Sequence, residues 1–210
     1  MNNIHIIKTK VTMAKKIKTN VRKRQITKAV LDILNKKALE GLTIESIAKK
    51  TRMTNSNVYR HFAGKDAVVG AVIERIGAAL QKFVQTACKN RTPLESLEEI
   101  FMRHIKFIER NRYYPRIIFS ENVYRAGPEI SLVLIRHMMG YSGGIKDILR
   151  RGIQCRCFSD DLDVEAAADT FVGLIQSIAM QWVISGYRFS PSTKGKKVWK
   201  IFLRGILAKG

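Results

Sequence analysis

The side chains with most to offer a ligand crowd into one short stretch: Arg52, Thr54, Asn55, Ser56, Asn57, Tyr59, Arg60, His61 and Lys65. No Ser-His-Asp, Cys-His or paired-carboxylate spacing stands out in the chain, and no Gly-rich phosphate loop is present, so the protein reads as a non-enzyme that needs no cofactor. The chemistry on offer is recognition. An asparagine amide sets a donor beside an acceptor, the pattern that matches the major-groove edge of adenine, and an arginine fork matches guanine.

The charge around this stretch points the same way. The 210 residues carry 38 Lys+Arg against 17 Asp+Glu, a net +21, with a pI near 10.2. Residues 1–65 hold 16 of the basic and 3 of the acidic residues, a net +13, which leaves +8 for residues 66–210. A field that lopsided favours a polyanion as partner of an N-terminal module over a generally solvated basic surface. Single-stranded nucleic acid would call for aromatic stacking platforms, yet the first 65 residues contain Tyr59 and Phe62 alone. Double-stranded DNA is the expected ligand. Residues 1–20, rich in lysine and without a helical or strand period, read as a flexible basic arm, within which Met13 offers a second start.

Three helices must position these groups. Ile26, Ala29, Val30, Ile33 and Leu34 recur at helical spacing between Arg22 and Lys37, and the chain then turns through Glu40 and Gly41. Thr43 stands as N-cap of a short second helix that turns Ile44, Ile47 and Ala48 inward, with Ser46 where a complete capping box would carry Glu or Gln. After a break at Thr51–Met53, Thr54 caps a third short helix over Asn55–Phe62, which sends Val58 and Phe62 to the core and its polar residues outward. Two short helices across a tight turn, the second polar on its outer face, describe a helix-turn-helix whose second member enters the major groove. Residues 21–66 form this DNA-binding module.

The stretch Gly41-Leu-Thr-Ile-Glu-Ser-Ile-Ala48, then Thr54-Asn-Ser-Asn-Val-Tyr-Arg-His-Phe62, then Gly64-Lys65-Asp66-Ala-Val68 resembles the signature of the tetracycline-repressor (TetR) family of bacterial regulators. The resemblance covers residues 22–76 closely. It implies that Tyr59, His61 and Lys65 hold the DNA backbone, which suits the single donors of Tyr59 and His61 and the place of Lys65 at a helix N-terminus. Reading of bases then falls to Asn55, Ser56 and Asn57 with Arg52, and Thr43 and Thr54 complete the expected contact set. Two departures stand out: Thr51-Arg52-Met53 replaces the family's usual small Ala-Gly-Val turn, and Ser56 replaces a frequent Gly. Arg52 therefore has to adopt any left-handed conformation that the turn requires.

Residues 67–210 read as a larger all-α domain for effector binding and dimerisation. A connecting helix runs from Asp66 to about Lys89, Thr92-Pro93 starts the next, Pro115 starts a short one, and Gly127-Pro128 opens a long one weakened by Gly140, Gly143 and Gly144. Asp160, Asp161 and Asp163 precede a helix with no charge from Thr170 to Tyr187, and a last helix spans about Ser192–Ala208. The uncharged run touches the lower limit for a membrane span, but Gln176, Ser177, Gln181 and Ser185 interrupt it, and a core or subunit interface is expected instead. Phe171, Ile175, Ile178, Trp182, Val198 and Phe202 are the candidates for a four-helix interface about a two-fold axis, which the resemblance also implies. Phe101, His104, Phe119, His137, Met138 and Tyr141 are the candidate lining of an effector pocket for a small hydrophobic or amphipathic compound. Cys88, Cys155 and Cys157 make neither a disulfide framework nor a metal site, and a cytoplasmic, nucleoid-associated bacterial protein is expected. The function expected is a homodimeric, ligand-responsive repressor on a short inverted repeat; a DNA-bound dimer acting on a protein partner, as in nucleoid occlusion, is the alternative.

Overall fold

The computed structural model describes residues 2–36, 41–121, 123 and 127–208, with side chains from residue 19 onward. Among the described residues the regular elements are helices, and one isolated antiparallel bridge joins Phe158 to Leu207. The helices are α1 (Asn2–Lys36), α2 (Ile44–Thr51), α3 (Asn55–Tyr59), α4 (Lys65–Ala87), α5 (Pro93–Arg110), α6 (Tyr113–Ile118), α7 (Pro128–Gln154), α8 (Val164–Ile184) and α9 (Pro191–Ile206). The chain divides into two units, Met1–Val72 and Ile73–Gly210, inside α4, whereas the sequence places the division at residue 66.

In the first unit, α1 buries Ile26, Ala29, Val30, Leu31 and Leu34 with Leu42, Ile47, Ala48, Val58 and Phe62. Burying each such large side chain stabilises by about 1.5–3 kcal/mol, which is what holds a five-residue α3 that could not persist alone. The backbone of α1 is helical from Asn2, where a flexible arm is expected. Neither Gly nor Pro occurs before Gly41, so nothing in residues 2–20 stops a helix nucleated over the apolar stripe from propagating backwards. The expected turn at Glu40 and the Lys37 end of α1 lie outside the described residues.

In the second unit, α5 is central and packs on α7, α8 and α9. Its start is well determined: Thr92 accepts from the Glu95 amide at 3.3 Å, Glu95 accepts from the Thr92 amide at 2.8 Å, and Pro93 stands at the first helical position. Phe101 on α5 meets Phe171 on α8 and Trp199 on α9, each at 5.4 Å between ring centroids, which ties the three helices together. The glycines of α7 do not break it. A Cβ on Gly140 would fall 2.9 Å from Gln81 and one on Gly144 2.4 Å from Val84, so these residues let α7 lie close against α4. The helix-weakening expected from their propensity is offset by that packing. Helix α8 is long and apolar enough by composition to cross a membrane, but Ala168, Phe171, Ile175, Ile178, Ala179 and Trp182 make one stripe buried inside this unit.

Candidate nucleic-acid interface

Thr43 caps α2 and its side chain accepts from Ser46 N–H at 3.0 Å, while Ser46 Oγ accepts from Thr43 N–H at 3.0 Å. The capping box is therefore complete, contrary to expectation, because the serine hydroxyl lies close enough to do what a longer Glu side chain usually does. At the other end of α2, Arg52 takes up the left-handed conformation, φ 55° and ψ 42°, and the Met53 amide donates to the Ala48 carbonyl at 2.9 Å. This reverses the chain within three residues. Thr54 then accepts from Asn57 N–H at 3.2 Å and launches α3.

The helix ends at Tyr59, three residues short of the expected Phe62, but the Arg60 and Phe62 amides still donate to Ser56 and Val58, so the last turn stays wound. Val58 and Phe62 are buried, and Lys23 lies 5.5 Å over the Phe62 ring. Asn55, Ser56, Tyr59 and Arg60 are exposed, and Asn57 and His61 are half buried. Tyr59 is 55% exposed, which is far more than a core tyrosine shows. His61 keeps Nδ1 inside without a hydrogen-bond partner. Lys65 opens α4, where the free amides of the first turn and the ammonium combine to attract an anion. A groove of about 310 Å³ between α1 and α2, lined by Arg22, Lys28 and Lys50 with Asp32, adds cations to the same module. Arg22 and Lys28 follow from the basic face of α1, but the groove itself depends on how α1 meets α2 and is not visible in the sequence.

Left-handed geometry costs a non-glycine residue about 1–2 kcal/mol. Arg52→Gly is therefore expected to raise stability by about 1 kcal/mol in denaturant unfolding, less what glycine adds to the disorder of the unfolded chain. A lower midpoint would mean that the Arg52 side chain contributes more to the fold than its backbone strain costs.

The second unit brings together some of the expected pocket residues and separates others. His104 is buried, with Nδ1 3.0 Å from the Tyr141 hydroxyl and Nε2 3.0 Å from the Tyr114 hydroxyl. Tyr114 is the member that the sequence did not single out; its only signal is the aromatic pair beside Pro115. A neutral imidazole donates through one nitrogen and accepts through the other, so both tyrosines are satisfied. Burial pushes the imidazole down to about 3 and both phenols upward, so all three stay uncharged at neutral pH. Phe101 belongs instead to the aromatic core with Phe171 and Trp199. Phe119 is half buried at the end of α6. His137 packs over Gly77 with Nε2 3.1 Å from Glu74, and Met138 is 59% exposed, which takes it off any buried lining in this chain.

The residues expected at the interface turn mostly inward in this chain. Phe171, Ile175, Ile178, Trp182 and Phe202 are buried within their own chain, and Val198 is half buried. An apolar stripe at helical spacing goes first to the subunit's own core. Exposed positions include Asp169, Thr170, Gly173, Ser177, Met180, Gln181 and Ile184 on α8 and Lys196, Lys197, Lys200, Ile201, Arg204 and Gly205 on α9, and Lys194 Nζ donates to Gln181 Oε1 between the two helices.

Residues 26–72 match the family described as bacterial regulatory proteins, tetR family, and residues 72–205 match the C-terminal region of YsiA-like proteins. The chain belongs to the tetR family. It is a DNA-binding transcriptional regulator. Among similar proteins, the transcriptional repressor KstR2 of Mycobacterium tuberculosis is 22% identical over 194 residues, covering 91% of this chain and 96% of that protein. The nucleoid occlusion factor SlmA of Haemophilus ducreyi is 24% identical over 185 residues, covering 86% of this chain and 90% of its own. The regulator FadR of Bacillus subtilis, whose structure was determined in complex with stearoyl-CoA, shares the fold with a TM-score of 0.75 at 18% identity, over 87% of this chain and 98% of that one. Within this tetR regulator, Arg52 takes the left-handed position that ends α2 and so places a cation shortly before α3.

Proposed function

We propose that this regulator is a homodimeric repressor that binds a short inverted repeat through two copies of α3 and is released by a small hydrophobic or amphipathic effector. The observation that carries the reading is the outer face of α3. Asn55, Ser56 and Tyr59 stand exposed on a helix fixed by caps and core contacts, within a module of net +13. Asn55 and Asn57 suit adenine and Arg52 suits guanine, while Tyr59, His61 through Nε2, and Lys65 suit phosphate oxygens. Thr43 and Thr54, both occupied as caps, contribute mainly by fixing where the helices begin. Two-fold symmetry puts the half-sites roughly 34–36 Å apart or a multiple of that.

An apolar or amphipathic effector is supported by the stearoyl-CoA bound to the structurally similar FadR and by the buried His104–Tyr114–Tyr141 group, which offers polar atoms inside an apolar unit. To move a population from 1:99 to 99:1, the effector must favour the released state by about 5.5 kcal/mol.

Selection from random duplex DNA at near-physiological salt tests the reading, because nonspecific binding there is only roughly 10⁻⁴ to 10⁻⁶ M. An enriched inverted repeat is expected, and a folded protein that enriches nothing would refute it. On the selected operator, Tyr59→Phe and Lys65→Ala are expected to weaken binding by similar factors on matched and mismatched sites, with Lys65→Ala also reducing the salt slope by about one. Asn55→Ala is expected instead to relax choice at one base pair, at a cost of about 1–3 kcal/mol on the preferred base. Equal losses on every sequence for all three variants would remove base reading from Asn55.

A further inference from the structure

Cys155 and Cys157 flank Arg156 in the turn that follows α7, and their Sγ atoms lie 2.6 Å apart. Arg156 takes the left-handed conformation, φ 57°, which folds the chain back so that both sulfurs fall on one side. The turn is tightly held. The Cys155 amide donates to Arg151 at 3.1 Å, the Arg156 amide to Ile153 at 2.9 Å, and the Cys157 amide to Gly152 at 2.9 Å. Phe158 is buried directly against Gly152, where an added Cβ would fall 1.9 Å from the ring. On its far side the turn is bonded to the end of α9, with the Ser159 amide donating to Ile206 at 3.0 Å and Phe158 bridged to Leu207. Both cysteines are free thiols and Cys155 is exposed. The bond from its neighbour lowers the Cys155 thiol below the ordinary cysteine value and raises Cys157, so Cys155 is the member that ionises first.

We propose that Cys155 and Cys157 form a reversible dithiol that reacts with peroxides to give an internal disulfide. The Cys155 thiolate attacks one oxygen of hydrogen peroxide, the O–O bond breaks, and the departing hydroxide takes up the proton released from Cys155 to leave as water. The resulting sulfenic acid is attacked by Cys157, the S–O bond breaks, and a second water leaves with the Cys157 proton. Two thiols lose two electrons and the peroxide gains both. The ring closes over a single intervening residue, a tight closure that low-molecular-weight thiols can reopen.

The third cysteine supplies the control. Cys88 is half buried and its Sγ accepts from Arg151 Nη2 at 3.3 Å. The full-length protein, reduced and freed of reductant, is treated with hydrogen peroxide and then alkylated with N-ethylmaleimide. One alkylation in place of three is expected, on a chain about 2 Da lighter, and the peptides ending at Arg156 and beginning at Cys157 stay joined after trypsin until reduced. Reduced glutathione restores three alkylations. Cys88→Ser is expected to lose the same pair at the same rate, and Cys155→Ser to slow thiol loss about tenfold. Three alkylations after peroxide has oxidised an equal amount of dithiothreitol, a link that contains Cys88, or a link between two chains would each overturn the proposal.

Discussion

Lowering the pH from 7 to 5 is expected to cost this protein about 2 kcal/mol of folding stability through His104 alone. The residue is buried and hydrogen-bonded to two tyrosines, and its burial holds the imidazole down to about 3, against an ordinary value near 6.5. Below about 6.5 the unfolded chain takes up a proton that the folded chain refuses until about 3, so the unfolded state binds more protons across that window. Stability is therefore full above pH 6.5 and falls as the pH drops, with a slope of up to about 1.4 kcal/mol per pH unit. His104→Gln removes the titrating group and keeps polar atoms near the tyrosines, so its stability should vary less between pH 7 and 5 by that same 2 kcal/mol. His104→Ala leaves two buried hydroxyls unpaired, each costing about 1–3 kcal/mol, and should lower stability at pH 7 by about 3 kcal/mol or more. Urea unfolding of the three proteins at both pH values decides it. Parallel pH dependence in wild type and His104→Gln would show that the imidazole is not kept neutral by the fold.

The N-terminal module was legible because its signals are local. Thr43, Thr54, the inward Ile47 and Val58, and the outward Asn55 and Tyr59 lie within a few turns of one another, so caps and periodicity fix their directions almost without tertiary information. The Ser46 half of the capping box is hidden in the sequence because a nearby hydroxyl satisfies the amide that Glu or Gln usually satisfies. Arg52 illustrates the opposite case: it is left-handed, and no local propensity of arginine for that geometry indicates it. In the second unit the helices were legible and their partners were not. Periodicity identifies the stripe Phe171, Ile175, Ile178 and Trp182, yet it cannot say whether that stripe meets the subunit's own α5 and α9 or a second chain. Gly140 and Gly144 show the same limit, since their effect depends on Gln81 and Val84 some sixty residues earlier.

That ambiguity sharpens the test of dimerisation. If two copies associate through α8 and α9, the contact must use the faces that each chain leaves outside. Ile184 and Ile201 are the most exposed large apolar residues there, at 77% and 72% against 38% for Met180. Around Ile184, α8 carries no charge back to Thr170, and Gly173 on that face lets another backbone approach closely. A glutamate at either position would be desolvated on association, and two-fold symmetry would place a second one in the partner, so the penalty is incurred twice. Ile184→Glu and Ile201→Glu are therefore expected to fold normally, sediment as monomers, and bind the selected operator on the order of 10³-fold more weakly, since a single half-site loses the gain from linked binding. Trp182→Glu makes the contrast. With that indole 3% exposed and packed at 4.8 Å on Tyr187, its replacement should cost stability whether or not a dimer forms. Dimeric Ile184→Glu and Ile201→Glu proteins with unchanged operator affinity would move the interface away from these two helices.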